Sequence, residues 1–251
     1  MEDNNIYVEE QNGFRNKRSC AEHLYSLTSI IRNRKVAQKS TFACFIDMRK
    51  AFDSVNHSCL FNKIASCGIF GKLYWSLKSL YSGPLAAVQI NEHITDWFPV
   101  KAGLRQGDSL STTLFALFIN DLALELKQTN CGVSIAGDLI NCLFYADDIV
   151  ILAETERDLQ KMLHVIHNWT KKWRLLINFD KTKIVHFRTP STKRSEFVFT
   201  CGGHRVCFAE KYPYLGCELN EYLDFTYTAT VLANAAGRAV GSLVSKHKQC
   251  H

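Results

Sequence analysis

The chain has 251 residues, of which 47% are hydrophobic and 22% charged, enough for a sizeable core in one or two domains; this excludes disordered, collagen-like and low-complexity classes. Its unbroken apolar runs, such as Leu114 to Ile119, fall far short of the roughly 20 residues of a membrane span. The first ten residues hold four acids and no basic start to a secretory signal, so an intracellular chain with no membrane partner is expected. The ten cysteines form no CxxC pair and no zinc spacing, and reduced thiols packed as small hydrophobes fit them best. The net charge of +6 is uneven, because Lys171 to Arg194 carries eight basic residues against one acid, Asp180, interleaved with Trp173, Phe179 and Phe187. A solvated face and a polyphosphate-binding surface both account for that stretch.

In chain order, Ser19 and Glu22 form a capping-box pattern that opens a helix to about Arg34. Phe42 to Ile46 reads as a buried strand. Asp53 or Ser54 can cap a second helix carrying Leu60, Phe61 and Ile64 and stopped near Gly68. Tyr81 to Val100 alternates as a hairpin would, and Ser109 to Gln128 is a strongly apolar-faced helix. Leu139–Phe144 and Ile149–Ala153 are two strands around the turn Tyr145-Ala146-Asp147-Asp148. Thr155 and Asp158 open a helix running to Trp173, and strand-like segments follow at 175–178, 183–187, 197–201 and 214–218. The pattern predicts an α+β fold, an antiparallel sheet with helices packed on one face.

Three pieces carry chemistry. Asp147 and Asp148 put dense charge at a turn tip, although paired aspartates in turns are commonly structural. Asp47 ends the apolar run Phe42–Ile46 with no evident local partner, whereas Asp53 suits a helix cap. Gly103 and Gly107 bracket Arg105 and Gln106 directly before a long helix, where Asp108 or Ser109 is the natural cap. Carboxylates converging at strand ends can hold two divalent cations for phosphoryl transfer, and Mg²⁺ is the hard, oxygen-preferring choice.

This series resembles the palm of reverse transcriptases, in particular those of non-LTR (LINE-type) retrotransposons. Phe45 to Asp53 is similar to motif A, Gly103 to Ser111 to motif B, and Tyr145-Ala146-Asp147-Asp148 to motif C. Trp169 through Asn178 to Lys183 resembles motif D, Tyr212 to Gly216 the motif E hairpin, and Gln11 to Arg15 with Arg18-Ser19 the segment leading from fingers to palm. The resemblance implies an RNA-directed DNA polymerase acting on an RNA template, a DNA primer and dNTPs, with two Mg²⁺ ions and Mn²⁺ as a substitute. Asp47, Asp147 and Asp148 would be its metal ligands and Lys181 a general acid toward pyrophosphate. Met48, Phe52, Arg105 and Gln106 would meet the incoming nucleotide, Phe52 excluding a 2′-hydroxyl; without the family, Phe52 is equally a core aromatic. Gly13, Arg15, Tyr214, Leu215 and Gly216 would support primer and template.

Relative to the family, Thr112 stands where many members carry Pro, and only short, acidic sequence precedes Gln11. The expectation is a remnant of fingers over 1–40, a palm over 41–217 and the start of a thumb over 218–251, with no room for endonuclease or RNase H domains. Two readings follow: a polymerase with intact acids, or a catalytically inactive nucleic-acid- or metal-binding remnant. A structural domain with accidental acids would bind no Mg²⁺. Oligomeric state is not legible from the sequence.

Overall fold

The protein is described by a computed structural model over residues 6–105 and 107–226, with 229, 230, 233, 234 and 236–238 beyond them. Gln106 and much of the proposed thumb therefore lie outside the described residues. Helix α1 (Cys20–Val36) starts at a complete capping box, in which Ser19 and Glu22 satisfy each other's backbone N–H. Strand β1 (Thr41–Ile46) is the expected apolar run. Helix α2 (His57–Ser66) is capped by Asn56 rather than by Asp53 or Ser54: the Asn56 side chain accepts the Cys59 N–H at 3.1 Å. Helix α3 (Gly71–Leu80) has no counterpart in the sequence reading; Leu73, Leu77 and Leu80 share one face, yet only Leu77 is buried, while Leu73, Trp75 and Leu80 are exposed.

The expected hairpin over 81–100 consists of two short ladders. Its strands are β2 (Leu85–Ala86), β3 (Gln89–Ile90), β4 (His93–Ile94) and β5 (Phe98–Pro99), with β2 paired to β5 and β3 to β4. Helix α4 (Ser109–Lys127) is capped by Asp108 and supplies core on several sides; it is long and apolar enough to cross a membrane, and most of it is buried inside this fold. Strands β6 (Val133–Ile135) and β7 (Asp138–Ile140) form a hairpin beside β8 (Cys142–Tyr145) and β9 (Asp148–Ala153). Helix α5 (Glu156–Trp173) opens at Thr155, as expected. Then come β10 (Lys183–Phe187), the hairpin of β11 (Phe199–Cys201) and β12 (His204–Val206), and that of β13 (Lys211–Tyr214) and β14 (Cys217–Asn220). The strand expected at 175–178 is reduced to a single bridge, Ile177 to Met48.

The central sheet is antiparallel, in the order β10-β1-β9-β8. Every residue of β1 is buried, so both faces of the sheet are covered. Phe42, Cys44 and Ile46 face a core built with Leu60 and Ile64 of α2, Leu114 and Phe118 of α4, and Met162, Ile166 and Trp169 of α5. Ala43 and Phe45 face the other way, against Leu27, Ile30 and Ile31 of α1 and against Tyr214 and Leu219. The expected palm architecture is present, and α1 adds a thinner second layer on the face that the sequence reading left uncovered. Each large side chain so buried contributes about 1.5–3 kcal/mol.

One buried cation links the helices. Lys63 of α2 is 5% exposed, donates to the Phe118 carbonyl and, at 2.6 Å, to Asp121, and its ammonium lies 3.9 Å from the Trp173 ring centroid and 4.3 Å from that of Trp169. Burial pulls its pKa down to about 8 even though Asp121 opposes the shift.

Candidate active site

The three aspartates lie at one end of the sheet because β1 and β9 are antiparallel neighbours. Ile46 pairs with Ile149, so Asp47, the next residue in one strand, lies beside the turn that precedes the other. The turn between β8 and β9 is tight: Tyr145 pairs with Asp148, leaving Ala146, with φ 58°, and Asp147 at the tip. Asp47 is fixed through its backbone, its N–H donating to Thr182 Oγ1 at 3.1 Å and its carbonyl accepting the Asn178 N–H at 2.8 Å. The segment between α5 and β10 thereby clamps the end of β1.

The turn is also held from its far side. Residues 10–12 run beside β8 as an added strand, with the Asn12 N–H donating to the Phe144 carbonyl and the Phe144 N–H to the Glu10 carbonyl, both at 2.8 Å. Gln11 is fully buried, and its Oε1 accepts the Gly13 N–H at 2.8 Å and the Ala146 N–H at 3.1 Å. A Cβ on Gly13 would sit 2.2 Å from the Ala146 nitrogen, so only glycine fits against this turn. The sequence reading missed Gln11 as a positioning residue; a lone buried Gln carries no signal of its own. Arg15 is occupied locally, its guanidinium donating to the carbonyls of Val8 at 3.0 Å and Gln11 at 3.1 Å.

Electrostatics mark the cluster. Burial, then the charges of Asp147 and Asp47, push the Asp148 carboxyl up to about 6, with Lys181 pulling the other way. Asp147 is raised as well, by burial first and then by Asp47. The Lys181 ammonium lies 3.8 Å from Asp47 and is mostly exposed. Among the described residues, no three His, Cys, Asp or Glu side chains form a closed cation cage. Mutual repulsion keeps carboxylates apart until a cation joins them, and Mg²⁺ commonly takes much of its shell from water and substrate phosphates. Hard oxygen donors, crowded enough to raise their own proton affinity, are the donor set such an ion requires.

Asp47, Met48, Phe52, Asp147, Asn178 and Lys181 line one open cavity of about 680 Å³, together with Arg49, Lys50 and Asp180. Phe52 is half-buried, its ring stacked on Phe115 of α4 at 4.5 Å and 19°. Arg105 does not line this cavity: its side chain donates to the Leu80 carbonyl at 2.7 Å. Gly103, at φ 98°, packs where a Cβ would meet the Asp53 carbonyl oxygen at 3.0 Å.

The β13–β14 hairpin backs onto the same acids. Tyr212 stacks on Phe45 at 4.5 Å, and its hydroxyl is pushed up to about 12 by burial and then by Asp47 and Asp148. Tyr214 is buried, its hydroxyl 2.8 Å from His23 Nε2, while Leu215 and Gly216 make the turn with φ of 48° and 78°. The basic stretch is less available than its composition suggests. Arg188 is buried against Glu221 at 2.8 Å, and Arg194 pairs with Glu221 as well, so those two charges serve the fold. Lys171, Lys172, Arg174, Lys181 and Lys193 remain exposed.

Comparison with known proteins agrees with this geometry. The reverse transcriptase (RNA-dependent DNA polymerase) family matches residues 1–219. The RNA-directed DNA polymerase from mobile element jockey of Drosophila funebris is 28% identical over 231 residues, covering 90% of this chain and 24% of that protein. The Pol polyprotein of the type-1 retrotransposable element R2 of Bradysia coprophila is 30% identical, covering 81% of this chain and 23% of its own length. The chain thus spans about a quarter of the curated relatives it matches. Apo telomerase from Candida tropicalis shares the fold, with a TM-score of 0.59 at 15% identity over 86% of this chain and 37% of that one. The chain belongs to the reverse transcriptase (RNA-dependent DNA polymerase) family, among its non-LTR retrotransposon members.

Proposed function

We propose that this chain is the palm-centred part of an RNA-directed DNA polymerase that joins a dNTP to a primer 3′-hydroxyl on an RNA template. The observation carrying the proposal is the cavity that gathers Asp47, Asp147, Phe52 and Lys181, with Asp148 electrostatically coupled beside them. A site that only bound nucleic acid would have no use for mutually repelling carboxylates set against an aromatic floor and basic groups. Asp47, Asp147 and Asp148 would hold two Mg²⁺ ions, which when bound lower the pKa of the primer hydroxyl and neutralise the triphosphate.

The chain's own residues do the rest. Arg49, Lys50 and Lys181 line the cavity and would supply positive charge for the triphosphate, and Lys181, 3.8 Å from Asp47, would give a proton to departing pyrophosphate. Phe52, braced by Phe115, packs where the sugar of the incoming nucleotide lies and leaves no room for a 2′-hydroxyl. Met48 and Gln106 flank the nucleotide, while Tyr214, Leu215 and Gly216 support the primer end. Residues 1–40 would lead in from fingers, 41–217 form the palm and 218–251 begin a thumb. The test is Mg²⁺-dependent primer extension on a heteropolymeric RNA template beside Asp147→Ala. Extension that the substitution abolishes supports the proposal; extension that survives it removes the carboxylates from the mechanism.

A further inference from the structure

A second cavity, of about 610 Å³, lies between α2, the end of α3 and the β2–β5 ladder. Its lining is more apolar than that of the carboxylate cavity, although Asp53 borders both. Leu85, Val100 and Leu104 give it apolar walls, and its polar groups are few. Tyr81 is 6% exposed, and its buried hydroxyl has no hydrogen-bond partner. A buried hydroxyl left unpaired is rare and calls for a partner. His57 meets the Tyr81 ring edge-on at 5.1 Å, and its Nε2 lies 2.8 Å from the Gly103 carbonyl oxygen. That carbonyl accepts, so Nε2 is the donor and Nδ1 is left facing other groups. Arg105 places a cation 5.9 Å from the Tyr81 ring centroid.

Apolar walls with a few donors and acceptors suit a flat heterocycle with a mixed hydrogen-bonding edge. A fatty chain would leave the hydroxyl and imidazole unmatched, and a sugar would face the apolar walls with its own hydroxyls unpaired. The neighbouring surface points the same way. Of the eighteen exposed large hydrophobic side chains among the described residues, ten lie between Phe70 and Phe98, including Trp75, Trp97 and Phe98. Lys72, Lys78, Lys101 and Arg105 are interleaved with them or directly follow. Exposed aromatics beside basic groups are how proteins hold single strands, base against ring.

We propose that this cavity binds one unstacked nucleobase, presented by a single strand lying across the β2–β5 surface. The inference rests on the polymerase reading only for the source of that strand; a free nucleoside offers the same chemistry. The probe is 2-aminopurine, whose emission rises when it leaves a base stack, used within a short single-stranded RNA and separately as the free riboside. With the full chain, emission from the RNA should rise on binding. Ala86→Trp, which fills the cavity, should abolish that rise, and Tyr81→Phe, which removes only the hydroxyl, should weaken binding about fivefold. Riboside binding with the same sensitivity to both substitutions would support the cavity and name a free nucleoside as a source; an inert riboside would support a strand-borne base. No rise with the RNA together with no riboside binding by equilibrium dialysis, or a rise that Ala86→Trp and Tyr81→Phe both leave unchanged, overturns the proposal. Primer extension run in parallel separates the two readings: extension without cavity binding refutes only the cavity, and cavity binding without extension refutes only the polymerase.

Discussion

Gly13→Ala tests how the turn carrying Asp147 is held. The backbone at Gly13 has no positive φ, so alanine adopts it freely and the whole effect is steric. The new methyl would lie 2.2 Å from the Ala146 nitrogen, 2.8 Å from the Tyr145 carbonyl carbon and 3.0 Å from the Ala146 Cα, all of them backbone atoms. Relief therefore requires the segment and the turn to separate by about 1 Å, the overpacking regime of about 1–3 kcal/mol. Separation also weakens the hydrogen bond from the Ala146 N–H to Gln11 Oε1, which spans the two and contributes about 1 kcal/mol. A total near 3 kcal/mol lowers the melting temperature by roughly 6–12 °C in a domain of this size. Because Asp147 follows Ala146, extension should fall further than stability does: a shift of about 1 Å in a catalytic group costs on the order of a hundredfold. Thermal melts give the first number and single-turnover primer extension at a temperature where the variant is folded gives the second. A variant that melts and extends like the wild type would refute the packing argument.

Phe52→Val should open space under the sugar and relax discrimination against ribonucleotides by about 10–200-fold, read as the ratio of extension efficiencies with dNTP and rNTP; an unchanged ratio would make the ring purely structural. The contribution of the buried histidines to stability should fall on acidification, opposite in sign to that of Asp147 and Asp148, whose raised values favour the fold at lower pH. Burial holds His23 at about 4, below its ordinary 6.5, so its contribution is full above pH 6.5 and is lost as the pH drops toward 4. By pH 5 that loss is about 2 kcal/mol. His186, lowered to about 4 by burial and then Arg188, acts in the same direction. Melts of His23→Gln should show a flatter acid limb than the wild type, and a slope equal to the wild type's would refute the assignment. Nucleic-acid binding should weaken steeply with salt, and Lys171→Ala with Lys193→Ala should reduce the slope. Arg188→Ala should instead lower stability and leave the salt slope alone, because its charge is already paired with Glu221.

Much of this protein was legible in local sequence. The capping box at Ser19, the N-cap at Thr155, the apolar run of β1 and the tight turn at Ala146-Asp147 follow from short-range hydrogen bonding and period, and the structure contains each of them. The motif series led to the family and to the residues proposed for the site. What lay beyond sequence were features set by distant partners. Lys63 looks like a solvated helix charge until α4 and α5 surround it with Asp121, Trp169 and Trp173. Arg188 and Arg194 look like a nucleic-acid surface until the chain returns 27 to 33 residues later with Glu221. Gln11 becomes the brace of the turn carrying Asp147 only through contacts 135 residues away. Local sequence determines what a segment of backbone can do; which charges are paired, and which side of a sheet is covered, are long-range electrostatic and packing outcomes that only the assembled fold decides.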